Sequence, residues 1–222
     1  MASFTLPLFT ILCFILLRIN SISGFQTRGS SHSRPKTSQL ATSHNRSNNK
    51  MRTFFSANTG TISSKTKERY ANKSILLTGA SRGLGRSLAH TLASCNPSLL
   101  ILSGRDALAL EQVKMECLRI NDRMRVVCIP ADLADKSSVD DLVSSALQLS
   151  HVDILINNGG ISSRSSFIET KLEVDELLMQ VNFLSGVQLA KKLVPGMLER
   201  NGGKILWISS IQGKGELYDL LM

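Results

Sequence analysis

With 222 residues, 42% of them hydrophobic and 19% charged, the chain has enough apolar content to bury the core of one sizeable domain. Its net charge of +9 is confined to one end: residues 1–72 hold ten Lys/Arg and one acidic residue, Glu68, whereas residues 73–222 hold sixteen of each sign. A neutral domain implies no basic face, and the leader has little aromatic interleaving beyond Phe54 and Phe55, so a nucleic-acid partner is set aside despite a sequence pI of 9.7.

The leader, residues 1–72, reads in two parts. Residues 1–17 carry no charge, and their apolar body over residues 4–17 would span about 21 Å as a helix, short of a hydrocarbon core of about 30 Å. That length suits the core of a signal peptide. Arg18 ends it, and Ser21, Ser23 and Gly24 ahead of Phe25 form a candidate cleavage site, giving a signal-like segment over residues 1–24. Residues 25–72 are rich in Ser, Thr, Asn, Arg and Lys, with no acidic residue before Glu68, which is the composition of an unfolded transit peptide. The combination resembles the two-part leaders of plastid proteins in algae with secondary plastids and implies a plastid address. The competing reading is a signal anchor on the endoplasmic reticulum membrane, with the N-terminal segment as the membrane contact.

At residues 75–77 a short apolar run, Ile75-Leu76-Leu77, meets Thr78-Gly79-Ala80-Ser81-Arg82-Gly83-Leu84-Gly85. This reads as a strand entering a phosphate-binding turn: the three glycines allow tight backbone close to a diphosphate, and the helix starting near Gly83 offers free N–H groups and a positive dipole end. The spacing G-x-x-x-G-x-G differs from the G-x-G-x-x-G of the long-chain dinucleotide binders. Thr-Gly-x-x-x-Gly-x-Gly after a hydrophobic strand resembles instead the short-chain dehydrogenase/reductase family. In the following helix Leu84, Leu88 and Leu92 recur at four-residue intervals, a face expected to pack on a sheet.

Residues 99–102 are continuously apolar, as in a parallel strand covered on both faces, and end at Ser103-Gly104-Arg105. NAD-binding sheets place an acidic residue about twenty positions past the glycines to accept the ribose hydroxyls; Ser103-Gly104 stands there instead, with Arg105 following, which favours NADP(H). The resemblance adds Arg82, since a basic residue in the turn meets the 2′-phosphate in NADP-preferring members. The other reading makes both solvated surface arginines.

A helix is expected over residues 107–120, with Leu110, Val113 and Cys117 on one side, and a strand over residues 125–130. Asp132-Leu133 follows; the resemblance places this carboxylate against the adenine amino group, while a turn or capping aspartate is the alternative. Ser137 and Asp140 form a candidate capping box for a third helix carrying Val139, Leu142, Val143, Ala146 and Leu147. The strand over residues 152–156 closes in Asn157-Asn158-Gly159-Gly160, where the family usually has Asn-Asn-Ala-Gly, and the resemblance gives Asn158 and Gly159 a place lining the cofactor cleft. Alone, that sequence is an ordinary turn.

One long helix is expected over residues 172–200, bent near Pro195, with a buried stripe of Leu177, Leu178, Val181, Leu184, Leu189 and Leu193. Within it Asn182 matches a family Asn that supports an ordered water and the proton relay; a packed mid-helix Asn is the alternative. The strand over residues 204–210 ends on Ser210, the family's catalytic-serine position, or otherwise a turn serine. The wording Ser209-Ser210-Ile211-Gln212-Gly213-Lys214 resembles the member-seven-like branch of the dehydrogenase/reductases, which implies lipid-like carbonyl substrates.

These elements imply an α/β fold, a Rossmann-like doubly wound parallel sheet over residues 73–214, incomplete at about five strands. The family transfers hydride between nicotinamide and a small-molecule carbonyl or alcohol, with a Tyr as proton donor and a Lys four positions later. Here Tyr218 is followed four positions on by Met222, so Tyr218 is not offered as catalytic, and residues 215–222 resemble a tail foreign to the family. The alternative is a non-catalytic nucleotide-binding or interaction protein. The cysteines, Cys13, Cys95, Cys117 and Cys128, and the histidines, His32, His44, His90 and His151, show no ligand spacing, so no metal site is indicated.

Overall fold

The computed structural model describes residues 62–163, 165 and 169–209. The leader readings at residues 1–61, Ser210, Tyr218 and residues 215–222 lie outside the described residues. Strands β1 (Ser74–Leu77), β2 (Leu99–Gly104), β3 (Arg125–Pro130), β4 (Ile154–Asn157) and β5 (Lys204–Trp207) form one parallel sheet in the order β3-β2-β1-β4-β5. Every residue of β1 and β4, and all but the last of β2, is buried. Their unbroken apolar runs are what a parallel strand covered on both faces requires. This is the Rossmann-like doubly wound architecture expected from the sequence.

Alternation along the strands divides the core in two. Ile75, Leu77, Leu100 and Leu102 point to helices α2 (Gly83–Ala93) and α3 (Ala107–Ile120), meeting Ala89, Leu92, Leu110 and Val113. Leu76, Ile101 and Leu155 point the other way, to helices α4 (Lys136–Leu149) and α6 (Ser185–Glu199), meeting Val139, Leu142, Leu189 and Leu193. The chain winds outward from β1 through β2 to β3 and then returns to place β4 on the other side of β1. The carboxyl ends of β1 and β4 therefore flank the point where winding reverses, the place where open α/β sheets bind ligands. At the far side, β5 is the outer strand, with Ile205, Trp207 and Ile208 exposed.

Several expectations are corrected. A short helix α1 (Ser64–Tyr70), capped by Ser63, lies within the stretch read as transit-like, and Tyr70 packs against the core beside Leu88, so folded structure begins ahead of Lys73. The buried face of α2 is Gly85, Ala89, Leu92 and Ala93; Leu84 is 43% exposed, because small residues allow the helix to lie close on the sheet. Helix α4 is capped by Asp135, whose carboxylate accepts from Ser137 N, rather than by a Ser137–Asp140 box. Asp140 instead pairs with Lys192 and Gln188 on α6, and Leu147 is exposed.

The long helix is three pieces: α5 (Leu172–Met179), a π-helical segment (Gln180–Leu184) and α6, which continues through Pro195. Leu177 on α5 and Leu184 at the end of the π segment fall outside the expected stripe and are exposed; the π segment adds a residue to the turn and so rotates the face that follows it.

Candidate functional site

Thr78 directly follows β1 at the switch point and is 1% exposed. Its Oγ1 accepts from Asn158 N at 3.1 Å and Gly159 N at 3.0 Å, and donates to Ile156 O at 3.4 Å. Asn158 returns the contact, with Nδ2 donating to Thr78 O at 3.0 Å and Gly79 O at 3.1 Å. Two turns, each disposed to wander alone, thus hold one another by side-chain-to-backbone hydrogen bonds. This makes residues 78–79 and 158–159 one rigid floor.

Above that floor the glycines have separate reasons. Gly79 has φ +64°, and a Cβ there would lie 2.6 Å from Gly159 Cα. Gly85 packs where a Cβ would run into the Gly79 carbonyl. Gly83 has φ +55°, yet a Cβ on it would meet nothing within 4 Å, so that face of the turn is open. Ala80 N donates to Ser103 O at 2.9 Å, and Ser81 Oγ lies 3.4 Å from where a Cβ on Gly104 would stand, so the turn abuts the end of β2.

Helix α2 begins at this open turn with no side-chain cap and no acidic residue in its first turn. Its leading N–H groups, on Gly83, Leu84 and Gly85, are thus left for an anion, and the dipole adds a partial positive charge. Arg82 at the N-cap and Arg105 after β2 are both exposed, and neither forms an ion pair among the described residues. The arrangement can hold a dinucleotide, with the backbone of the turn as a cradle for its diphosphate.

Asp132 shows the turn role as well as its position: Oδ1 accepts from Ala134 N at 3.0 Å, and its own N–H donates to Ser138 Oγ at 2.9 Å. Leu133, beside it, reaches Gly159, where its Cδ1 lies 2.5 Å from the position of an absent Cβ. Asn182 sits inside the π segment and clasps the backbone beyond β4: Oδ1 accepts from Ile161 N at 2.8 Å and Nδ2 donates to Ile161 O at 2.9 Å. The structure thus joins Thr78, Gly79, Asn158, Gly159 and Leu133 in one contact set, and ties Asn182 to the segment leaving it. Ser210 lies outside the described residues.

Gln180, which carries no sequence signal, donates from Nε2 to Leu133 O at 3.3 Å. Asn157, the first residue of the Asn-Asn-Gly-Gly element, is 5% exposed, and neither of its amide atoms finds a partner among the described residues. Behind α2, Arg86 forms a two-pronged bond to Glu116 that His90 Nε2 joins at 2.9 Å. Burial alone would raise the Glu116 pKa; the bonds from Arg86 and His90 outweigh it and hold it below its ordinary value. Burial pushes the thiols of Cys117 and Cys128 up to about 12.

A family model described as short chain dehydrogenase matches residues 73–220. The chain belongs to the short-chain dehydrogenase family. The match runs past Lys214, where the sequence reading placed the end of the family pattern. Among curated members, the chain is 41% identical over 155 residues to the dehydrogenase/reductase SDR family protein 7-like of Drosophila melanogaster, covering 68% of this chain and 47% of the relative. It is 40% identical over 143 residues to the human dehydrogenase/reductase SDR family member 7, covering 63% and 42%. These matches bear out the member-seven-like branch, and the chain spans about half the length of the curated relatives it matches. Among solved structures, L-sorbose reductase from Gluconobacter frateurii, complexed with NADPH and L-sorbose, superposes with a TM-score of 0.63 at 28% identity, covering 68% of this chain and 58% of that one. A short-chain dehydrogenase from Sphingobium yanoikuyae in complex with NADPH gives 0.62 at 25% identity, covering 67% and 58%.

Proposed function

We propose that the chain carries the cofactor site of an NADP(H)-dependent oxidoreductase that interconverts a carbonyl and an alcohol on a lipid-like substrate. The observation that carries this is the uncapped α2 N-terminus beside the open face of Gly83, at the switch point of a parallel sheet, with Arg82 at the N-cap and Arg105 after β2 both exposed and without an ion pair among the described residues. The backbone N–H groups of residues 83–85 hold the diphosphate, Arg82 and Arg105 hold the 2′-phosphate, and Asp132 and Leu133 border the adenine. Thr78, Asn158 and Gly159 keep the floor in place. The cofactor supplies the hydride. The role of Asn182 is to fix the backbone beyond β4 through Ile161 and to hold the π turn from which the proton relay is built. Ser210 is the proposed hydrogen-bond partner of the substrate oxygen.

A second reading is a nucleotide-binding protein without turnover. The two readings differ in whether a positioned proton donor completes the site. Losing a positioned proton donor forfeits about 10²–10⁴ in rate. The test compares NADPH oxidation with a panel of lipid-like ketones by the 222-residue chain and by a version extended with the coding sequence that follows it in its genome. Turnover confined to the extended form supports the oxidoreductase reading with a donor supplied beyond Met222. Tight NADPH binding by both forms with turnover by neither supports the second reading.

For the leader we propose a plastid address. A fluorescent protein fused to residues 1–72 reaches the plastid, and one fused to residues 26–72 does not, because the signal core must act before the transit tract is exposed. Reticulum fluorescence with the full leader would favour the membrane-anchor alternative.

A further inference from the structure

Resting on the dinucleotide reading above, we propose that Gln180 is a positioning residue that links the adenosine end of the site to the segment holding Asn182. Its side chain is the bridge between two elements far apart in sequence: Nε2 donates to Leu133 O at 3.3 Å, while the residue itself opens the π segment two positions ahead of Asn182. Leu133 is held from the other side too, with Cδ1 seated on Gly159, whose N–H donates to Thr78 Oγ1 at 3.0 Å. The other side-chain bonds of the 131–135 loop are local: Asp132 N to Ser138 Oγ at 2.9 Å, Ala134 N to Asp132 Oδ1 at 3.0 Å, and Ser137 N and Oγ to the Asp135 carboxylate at 2.9 Å.

The element at the far end is of a kind that can take two arrangements. A π turn is a helix with one residue too many, and sliding its register moves that residue along the helix. Asn182 holds the present register against Ile161 with bonds of 2.8 and 2.9 Å. A dinucleotide that settles the 131–135 loop fixes the Leu133 carbonyl, and through Gln180 it steadies the same register from its first residue. Binding energy from the adenosine half is thereby delivered to the end of the site that holds Asn182, which couples two places in the fold.

Hydrogen exchange of the 222-residue chain with and without 2′,5′-ADP tests this, because that probe carries the adenosine and its 2′-phosphate but no nicotinamide. The expected result is slowed exchange at residues 131–135 and also at Gln180–Leu184. In Gln180→Leu, which keeps the bulk and drops the donor, the first effect persists and the second disappears, and NADPH affinity falls about three- to tenfold, the worth of one neutral hydrogen bond. If 2′,5′-ADP protects residues 131–135 of the unmutated chain and leaves Gln180–Leu184 unchanged, the coupling is overturned. That arm needs no variant to fold. Failure of both 2′,5′-ADP and NADPH to bind the unmutated chain overturns the dinucleotide reading itself.

Discussion

Alanine at the three glycines of the turn separates folding from ligand binding, because each position has a different reason to be glycine. At Gly83 the backbone sits at φ +55° but the space around a Cβ is empty. The cost to the fold is conformational only, about 1–2 kcal/mol, or about 2–4 °C in Tm per kcal/mol for a domain of this size. Gly85 has no positive φ, yet its Cβ would meet the Gly79 carbonyl and lie 2.8 Å from Gly79 C. Backbone must then shift, at about 1–3 kcal/mol. Gly79 combines both penalties, with φ +64° and Gly159 Cα at 2.6 Å. The predicted order of destabilisation is Gly79→Ala largest and Gly83→Ala smallest. For NADPH the logic differs: in the proposed site the diphosphate approaches the open face of Gly83, so its methyl group displaces charge-assisted bonds worth about 1.5–3 kcal/mol, tenfold or more in affinity. Thermal melts paired with NADPH fluorescence titrations measure both. Gly83→Ala binding NADPH as tightly as the unmutated chain would refute the cradle.

Thr78→Val removes the oxygen that accepts from Asn158 N and Gly159 N; leaving those N–H groups unpaired costs about 1–3 kcal/mol in urea unfolding, and Thr78→Ser retains most of the stability. Glu116 has a folded pKa below its ordinary 4.5, so its contribution is present above that value and is lost as pH falls through the folded pKa. Stability of Glu116→Gln relative to the unmutated chain, measured from pH 7 downward, is expected to converge at acid pH, and a difference independent of pH would contradict the assignment. Cys117 and Cys128, raised to about 12 by burial, stay protonated and resist iodoacetamide at pH 8 until urea is added; rapid labelling of either in the folded chain would show the packing to be wrong.

What the sequence carried best was whatever depends on local periodicity. Helix α3 was expected over residues 107–120 and strand β3 over residues 125–130, and both stand there, because Leu110, Val113 and Cys117 form one face and the strand is bounded by turn-forming residues. Leu84 failed for a physical reason: large apolar residues are the visible signal of a core face, whereas close helix-on-sheet packing is made by Gly85, Ala89 and Ala93, which show no such signal. Ser137 read as the cap of α4, whereas the cap is Asp135, whose carboxylate accepts from Ser137 N; short polar residues two apart look alike until the hydrogen bond is seen. The π segment was not legible, since a one-residue excess in a helix leaves the local composition unchanged. Gln180 was missed with it, as a polar residue within a helix ordinarily faces water, and its partner, Leu133 O, is a backbone atom with no side-chain signature.

On the proposed reading, this turn and the two exposed arginines, Arg82 and Arg105, select a nucleotide bearing a 2′-phosphate. Titrating the 222-residue chain with NADPH and NADH, alongside Arg105→Asp, tests it most directly. The unmutated chain is predicted to bind NADPH at least about tenfold more tightly than NADH, one charge-assisted bond to the phosphate being sufficient, and Arg105→Asp is predicted to erase that preference. Equal affinity for the two nucleotides in the unmutated chain would contradict the account.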